Sequence, residues 1–556
     1  MPVTHGGGYV DDRLYLRAAS YLAQGRWLGP FDQYTLLKGP GYPAFVAAMY
    51  RSGVPLKVGE QLTHLLAAAA VALCVWVASR RAVIALAVYV ALALDPVNFD
   101  TWASRATRDS WYSSLTLLLI AAVFLALYAA ITHARLPWVI AASLGAGVSA
   151  GVFSLCREET MWIAPTLLVL GAGLPLCVVL RWWFHTPRTK LQGPRVLAAL
   201  ARLALVAAII GVLGGAAIMR VTSINQQHYG VAVTSDLVYG SYGRLYADWR
   251  RVAGGVSSPS DPITRAQREA VYAVSPLARS LQPYLDPPAG CVTPRGGGLG
   301  FHSRIPVCAH ALWQGLRDAA ARLGYFRTGA DSQRFFEELD AQIQAGCDSG
   351  QLGCTPRLPT QLQSLQLFSL GPFLAFMRHW GAKAVTSSGY YDLPPGYRSG
   401  LGTAGIRTEL AQIVRGIPAT LPEAEAQERT FTSNDWPYRL LTHLYAPLLP
   451  LLILTALVGL LMPIVRPRWP QAALSVLSIA LAVGALSRLA FVALLTTTEF
   501  ETKDIEVRYL LPVHTLLLAF AIVGTSQLAD AAWTGVRSRR AGEQMATPTD
   551  AMQVKD

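Results

Sequence analysis

The residues best suited to polar chemistry lie in four short clusters far apart in the chain. Tyr9-Val10-Asp11-Asp12 sets two adjacent carboxylates ahead of a short amphipathic segment, Leu14 to Leu22. Lys38 is a single ammonium in the Gly/Pro-rich turn Leu36-Leu37-Lys38-Gly39-Pro40-Gly41-Tyr42-Pro43. Arg105, Arg108 and Asp109 form a third cluster, and Val507-Arg508-Tyr509 the fourth. A carboxylate can act as a general base or bind a divalent cation. Lys and Arg hold phosphate oxygens, Arg in a bidentate manner. Converging at a bilayer surface, such groups suit transfer of a lipid-phosphate-linked group to an acceptor hydroxyl. A carboxylate would take the acceptor's proton and the cations would stabilise the departing phosphate.

Each cluster also has a plainer explanation. Paired acids such as Asp11 and Asp12 are common in solvated loops, and an interfacial Arg such as Arg105 commonly snorkels to headgroups. Arg157-Glu158-Glu159 reads as charge pairing at a helix end or as part of a site. Arg488, within an apolar segment, either serves the site or pairs with an acid for structure.

The elements that must position these residues are membrane helices. The chain has 556 residues, of which 53% are hydrophobic and 15% charged, with a mean hydropathy of +0.35. Soluble proteins carry about 25% charged residues. The deficit, with repeated apolar runs close to spanning length, predicts an α-helical polytopic membrane protein with about nine transmembrane helices. The expected spans are Leu62–Ala78, Ala82–Val97, Ser113–Ile131, Pro137–Leu155, Met161–Leu180, Val196–Met219, Leu440–Val465, Ala472–Leu495 and Leu510–Leu528. Residues 1–61 form a first loop whose start lacks the basic and apolar regions of a signal peptide. Residues 62–219 hold six spans and 441–530 three. Residues 220–440, rich in Gly, Pro, Ser, Arg and Gln, form a large insertion long enough for a core of its own. Residues 531–556 read as a disordered cytoplasmic tail.

The formal net charge of +13 does not point to nucleic acid, because much of the basic charge sits in short clusters beside apolar segments. Placing residues 1–60 outside makes Arg80-Arg81, His133–Arg135, Arg181–Arg195, Arg466–Arg468 and Arg537–Arg540 cytoplasmic, each of them basic. The acid-bearing connections and the insertion then face outward. Cys291, Cys308, Cys347 and Cys354 all fall in that insertion at spacings that match no zinc site. On an oxidising side they are expected to form two disulfides, in one of three pairings. Cys74, Cys156 and Cys177 read as packing residues in apolar segments.

The order of these features resembles the GT-C class of integral-membrane glycosyltransferases, in the branch of protein O-mannosyltransferases and aminoarabinose transferases. Tyr9-Val10-Asp11-Asp12-Arg13-Leu14-Tyr15-Leu16, with Ala18, Ala19 and Gly25, is similar to that class's acidic first-loop motif. Lys38-Gly39-Pro40-Gly41-Tyr42-Pro43 is similar to its Lys-Pro-Pro-x-Tyr stretch. Ser104-Arg105-Ala106-Thr107-Arg108-Asp109-Ser110 stands where a second charged element is common, and Val507-Arg508-Tyr509-Leu510-Leu511-Pro512 is similar to an Arg-Tyr-x-x-Pro helix start. The resemblance covers residues 9–220 and 440–530. It implies Asp11 or Asp12 as catalytic base, Lys38 and Arg508 on the donor phosphate, and Arg105, Arg108 and Asp109 as a second charged element. Glu158, Glu159 and Tyr509 are secondary candidates. The implied partners are a polyprenyl-phosphate sugar donor, an extracytoplasmic acceptor and membrane lipid, in a bacterial inner membrane with the site on the extracytoplasmic side. Metal use in the class is mixed, so a divalent cation on Asp11 and Asp12 is left open. The class carries a helix before its acidic loop, so a start upstream of Met1 is expected. The alternatives are a transporter or lipid flippase and a non-catalytic scaffold. A transporter predicts internal repeats and broken helices with polar residues at mid-membrane. No clear repeat is present and the charges lie mostly at segment ends, which favours the enzyme.

Overall fold

The computed structural model describes residues 11–99, 103, 105–185, 193–255, 263–287, 312–357, 368–387, 413–414, a few positions between 420 and 430, 436–465, 469–498 and 507–545. Among these residues there is no strand, and an isolated bridge joins Val252 and Cys354. Among the described residues nine segments are long and apolar enough to cross a membrane: Leu56–Ser79, Ala82–Phe99, Arg108–Ile131, Leu136–Cys156, Met161–Leu180, Val196–Tyr229, Trp436–Ile464, Gln471–Thr496 and Val507–Thr534. We call them spans one to nine.

Spans one and three start furthest ahead of the hydropathy expectation, where charges at their entry are neutralised within the fold. Span one begins at Leu56 rather than Leu62, with Lys57 and Glu60 paired at 2.7 Å one helical turn apart. Span three begins at Arg108 rather than Ser113, with Arg108 and Asp109 paired to residues that follow span four. Span six runs on past Met219 to Tyr229, where Asn225 receives a hydrogen bond from the Trp27 indole at 2.7 Å.

Span three is the axis of the bundle. It is apolar on every side, 78% of its most apolar stretch is buried, and it packs against spans one, four, five, six, eight and nine. Span six is the opposite case, with 6% buried, and it rests mainly on span four. Spans seven and nine approach closely through small residues: a Cβ on Gly459 would meet the Gly524 backbone, and one on Gly524 would meet Ala456. Nine consecutive crossings bring residues 56, 99, 108, 156, 161, 229, 436, 496 and 507 to one end of the bundle. At the other end Arg81 reaches Asp530 at 3.5 Å and Arg202 donates to the Ala134 carbonyl at 2.9 Å.

On the chain between spans six and seven, the described residues among 236–357 build a helical lobe around Tyr242, Leu245, Trp249, Phe335, Phe336 and Ile343. The helix Leu370–Thr386 instead joins the membrane core, with Phe376 and Ala384 buried beside span eight. Cys347 and Cys354 form a disulfide, which picks out one of the expected pairings, while Cys291 and Cys308 lie outside the described residues. Beside that bridge Ala253 N donates to Gly353 O at 2.7 Å and Thr355 N to Arg251 O at 2.9 Å.

The lobe buries two facing acids. Asp248 pairs with Arg251 at 2.9 Å and Arg357 at 2.8 Å, and Gln344 donates to Asp340 at 2.8 Å. Burial, then the neighbouring Asp248 carboxylate, push Asp340 up to about 7. The folded lobe therefore holds a proton that the unfolded chain has released, and this contribution to stability is lost as pH rises from the ordinary carboxyl range through about 7. Thermal unfolding of the full chain should be followed at pH 5 and pH 8 in wild type and Asp340→Asn. The variant is expected to lose less stability than wild type across that interval, and equal slopes would remove Asp340 as the source.

Candidate functional site

The first helix, Asp11–Ala23, carries acids at its start, where the helix dipole favours them. Tyr15, Leu16 and Ala19 turn inward toward Tyr42 and Val46 of the next helix, Gly41–Ser52, and Leu14 packs with Tyr34 and Leu37. That packing buries Asp12, whose carboxylate meets Arg105 at 3.0 Å with both side chains under a tenth exposed. Arg105 is thus a partner of Asp12 and does not reach toward headgroups. Its carbonyl accepts from Lys57 at 2.6 Å, and Lys57 joins Glu60, which accepts from the Tyr42 hydroxyl at 2.8 Å. The helix includes Asp11, but that side chain lies outside the described residues.

Lys38 is set by a backbone constraint. Gly39 and Gly41 press on the end of span four, where a Cβ on either would fall 2.5 to 2.7 Å from the Leu155 carbonyl. Only glycine permits that approach. It lets Gly39 N donate to Glu158 at 2.7 Å. Half-buried Lys38 lines a small cleft with Leu14, Tyr15, Thr35, Pro40 and Pro43. The lobe holds the other side of this loop. Asp236 N donates to Leu36 O at 2.9 Å, Ser235 Oγ to Leu37 O at 3.1 Å, and Arg317 Nε to Gln33 O at 2.5 Å. Arg317 and Asp236 pair at 2.9 Å in full burial.

Beyond Glu158 the charges alternate. Arg108 pairs with Glu158 at 2.7 Å and donates to the Cys156 carbonyl at 2.8 Å. Arg157 pairs with Asp109 at 2.6 Å and with Glu159 at 2.9 Å. Arg508 lies 3.7 Å from Asp109 and over the Tyr509 ring. The ring of Tyr509 also faces Arg157, at 5.1 Å. Burial alone would raise the Glu158 and Glu159 carboxyls, yet both are held low. Arg108 and Lys38 act on Glu158; Arg157, Arg488, Arg108 and Lys38 act on Glu159, which lies at about 2. Both are anions near neutral pH. Glu159 is a quarter exposed, whereas Asp12, Asp109 and Glu158 are almost fully buried.

Asp12, Lys38, Arg105, Arg108, Asp109, Glu158, Glu159, Arg508 and Tyr509 therefore meet at one end of the bundle. The pairing logic that sequence reasoning missed runs through Lys57, Glu60 and Arg157. A Lys and a Glu three apart at the mouth of an apolar run were the available signal for the first two. Arg157 was visible as a charge but not as the link between Asp109 and Glu159. Asp12 is engaged by a guanidinium, and among the described residues no three His, Cys, Asp or Glu side chains gather as metal ligands; the Asp11 side chain, the other half of the carboxylate pair considered for a cation, lies outside the described residues.

No protein-family model matches the sequence, and comparisons with curated proteins and with solved structures find no match.

Because Arg108 and Glu158 are buried together, losing one strands the other. Arg108→Gln is expected to destabilise the protein by about 3–5 kcal/mol, the range for breaking a buried pair from one side. Adding Glu158→Gln, which keeps an acceptor for Gly39 N, should recover most of the loss. Thermal unfolding in detergent checks both, and a double variant as unstable as the single one would contradict the pairing.

Proposed function

We propose that the protein is a membrane glycosyltransferase of the GT-C type. It moves a sugar from a polyprenyl-phosphate donor to the hydroxyl of an extracytoplasmic lipid, glycan or protein, in a bacterial inner membrane. One observation carries this reading: the acidic first helix, the Lys38 turn, the Arg105–Asp109 cluster and the Arg508–Tyr509 helix start, distant in sequence, contribute to one charge network at one end of the bundle.

In this reading Asp12, oriented by Arg105, accepts the proton of the acceptor hydroxyl, with Asp11 as its immediate neighbour in the motif. The acceptor oxygen bonds to the anomeric carbon as the bond from that carbon to the phosphate oxygen breaks. The electron pair leaves with the polyprenyl phosphate, whose growing negative charge falls to Lys38 and Arg508. Arg108, Asp109, Glu158 and Tyr509 hold these groups in place. No step is routed through a metal.

The test is sugar release from radiolabelled polyprenyl-phosphate sugars in membranes. Asp12→Asn is expected to lower transfer by about 10²–10⁴-fold, the usual worth of a general base, with the protein still folded. Asp11→Asn is the control for its neighbour. If both variants transfer like wild type, the carboxylate mechanism is wrong. Lys38→Ala is expected to raise the KM for donor more than it alters unfolding, and an unchanged KM would remove Lys38 from the phosphate. Absence of turnover with every donor, in folded wild type, would favour transport or scaffolding.

A further inference from the structure

The helix Leu370–Thr386 packs against spans seven, eight and nine. It has 17 residues and carries Arg378 and Lys383, whereas a crossing takes about 20 apolar residues. It nevertheless reaches membrane depth. A Cβ on Gly381 would lie 3.5 Å from Leu489 of span eight. Leu489 is about 10 Å inside the Thr496 end of that span, at 1.5 Å per residue.

Its inward stripe follows helical spacing, with Phe373, Phe376, Met377, Trp380 and Ala384 packed into the membrane core. The outward face has two unlike edges. Leu370 and Leu374, one turn apart, are 59% and 53% exposed. His379 and Lys383, one turn apart, mark the opposite edge, and the exposed Arg378 lies between the two. Lys383 Nζ sits 4.5 Å over the Trp380 ring, which His379 meets edge-on at 5.5 Å. The sequence of this helix contains no Asp or Glu. An apolar edge, a basic edge and a Trp between core and surface make the pattern of a helix lying in the plane of a bilayer surface.

We infer that the helix Leu370–Thr386 is a docking surface for anionic phospholipid, with Leu370 and Leu374 among the acyl chains and Arg378, His379 and Lys383 at the headgroups. Span seven, which touches this helix, exposes Leu440, Leu444 and Leu448. The apolar edge therefore extends a surface already turned to acyl chains. The long Arg and Lys stems carry their charges from apolar surface to headgroup level. With no acid on the helix to oppose them, these charges complement an anionic leaflet. The inference needs no assumption about the reaction.

The experiment places a photo-crosslinker at the apolar edge, Leu374→p-benzoylphenylalanine, in full-length protein. The protein is held in nanodiscs of equal phosphatidylglycerol and phosphatidylcholine, and the adducts are read by mass spectrometry. Lipid adducts are expected, with phosphatidylglycerol favoured. Arg378→Gln with Lys383→Gln should lower that preference at least about fivefold, the worth of one cation near an anionic surface. Arg334→Gln, which removes an equal kind of charge from an exposed site on the lobe, should leave it unchanged. Adducts to a second copy or to this chain in place of lipid would overturn the docking surface. Lipid adducts in the bulk ratio, unchanged by the double variant, would overturn the headgroup recognition. If the double variant does not fold, Arg378→Gln alone, at an exposed position, decides the same point.

Discussion

The interaction on which the rest depends is the buried pair of Arg108 and Glu158. It joins the entry of the central span to the short link after span four, and Glu158 also accepts from the backbone of Gly39. One carboxylate thereby ties span three, span four and the Lys38 turn together. A charge this deep is tolerated only with its partners in place, so helix ends, loop and site cannot shift independently.

The same constraint explains why the network alternates in sign. Asp12 meets Arg105, Lys57 meets Glu60, and Asp109 lies between Arg157 and Arg508. Each pair removes a cost that an isolated ion would impose at the membrane boundary. Around Tyr112 and Tyr509 the guanidiniums of Arg157, Arg488 and Arg508 face the two rings, and the buried Nη1 of Arg488 has no hydrogen-bond partner among the described residues.

The lobe adds a second kind of control. Its helices present Asp236 and Arg317 to the backbone of residues 33–37, immediately before Lys38. Tyr34 donates to Asp318 at 2.6 Å from the same loop. The Lys38 turn is therefore gripped from the membrane helices through Glu158 and from the lobe through Arg317.

The sequence by itself determined the membrane class, the nine spans and their alternation, because apolar length and charge placement are local properties that need no partner. It also marked Asp12, Lys38, Arg105, Arg108, Asp109 and Arg508 as residues of interest by type and spacing. Only the tertiary structure decided how they pair: that Arg105 belongs to Asp12, that Arg157 bridges Asp109 and Glu159, and that the buried Nη1 of Arg488 has no hydrogen-bond partner among the described residues. It also decided that spans one and three begin at Leu56 and Arg108, since a charged residue counts against a span until its neutralising partner is brought alongside. Those partners lie tens to hundreds of residues away or are hidden in a helical turn, and distance in space is the one quantity a linear pattern does not carry.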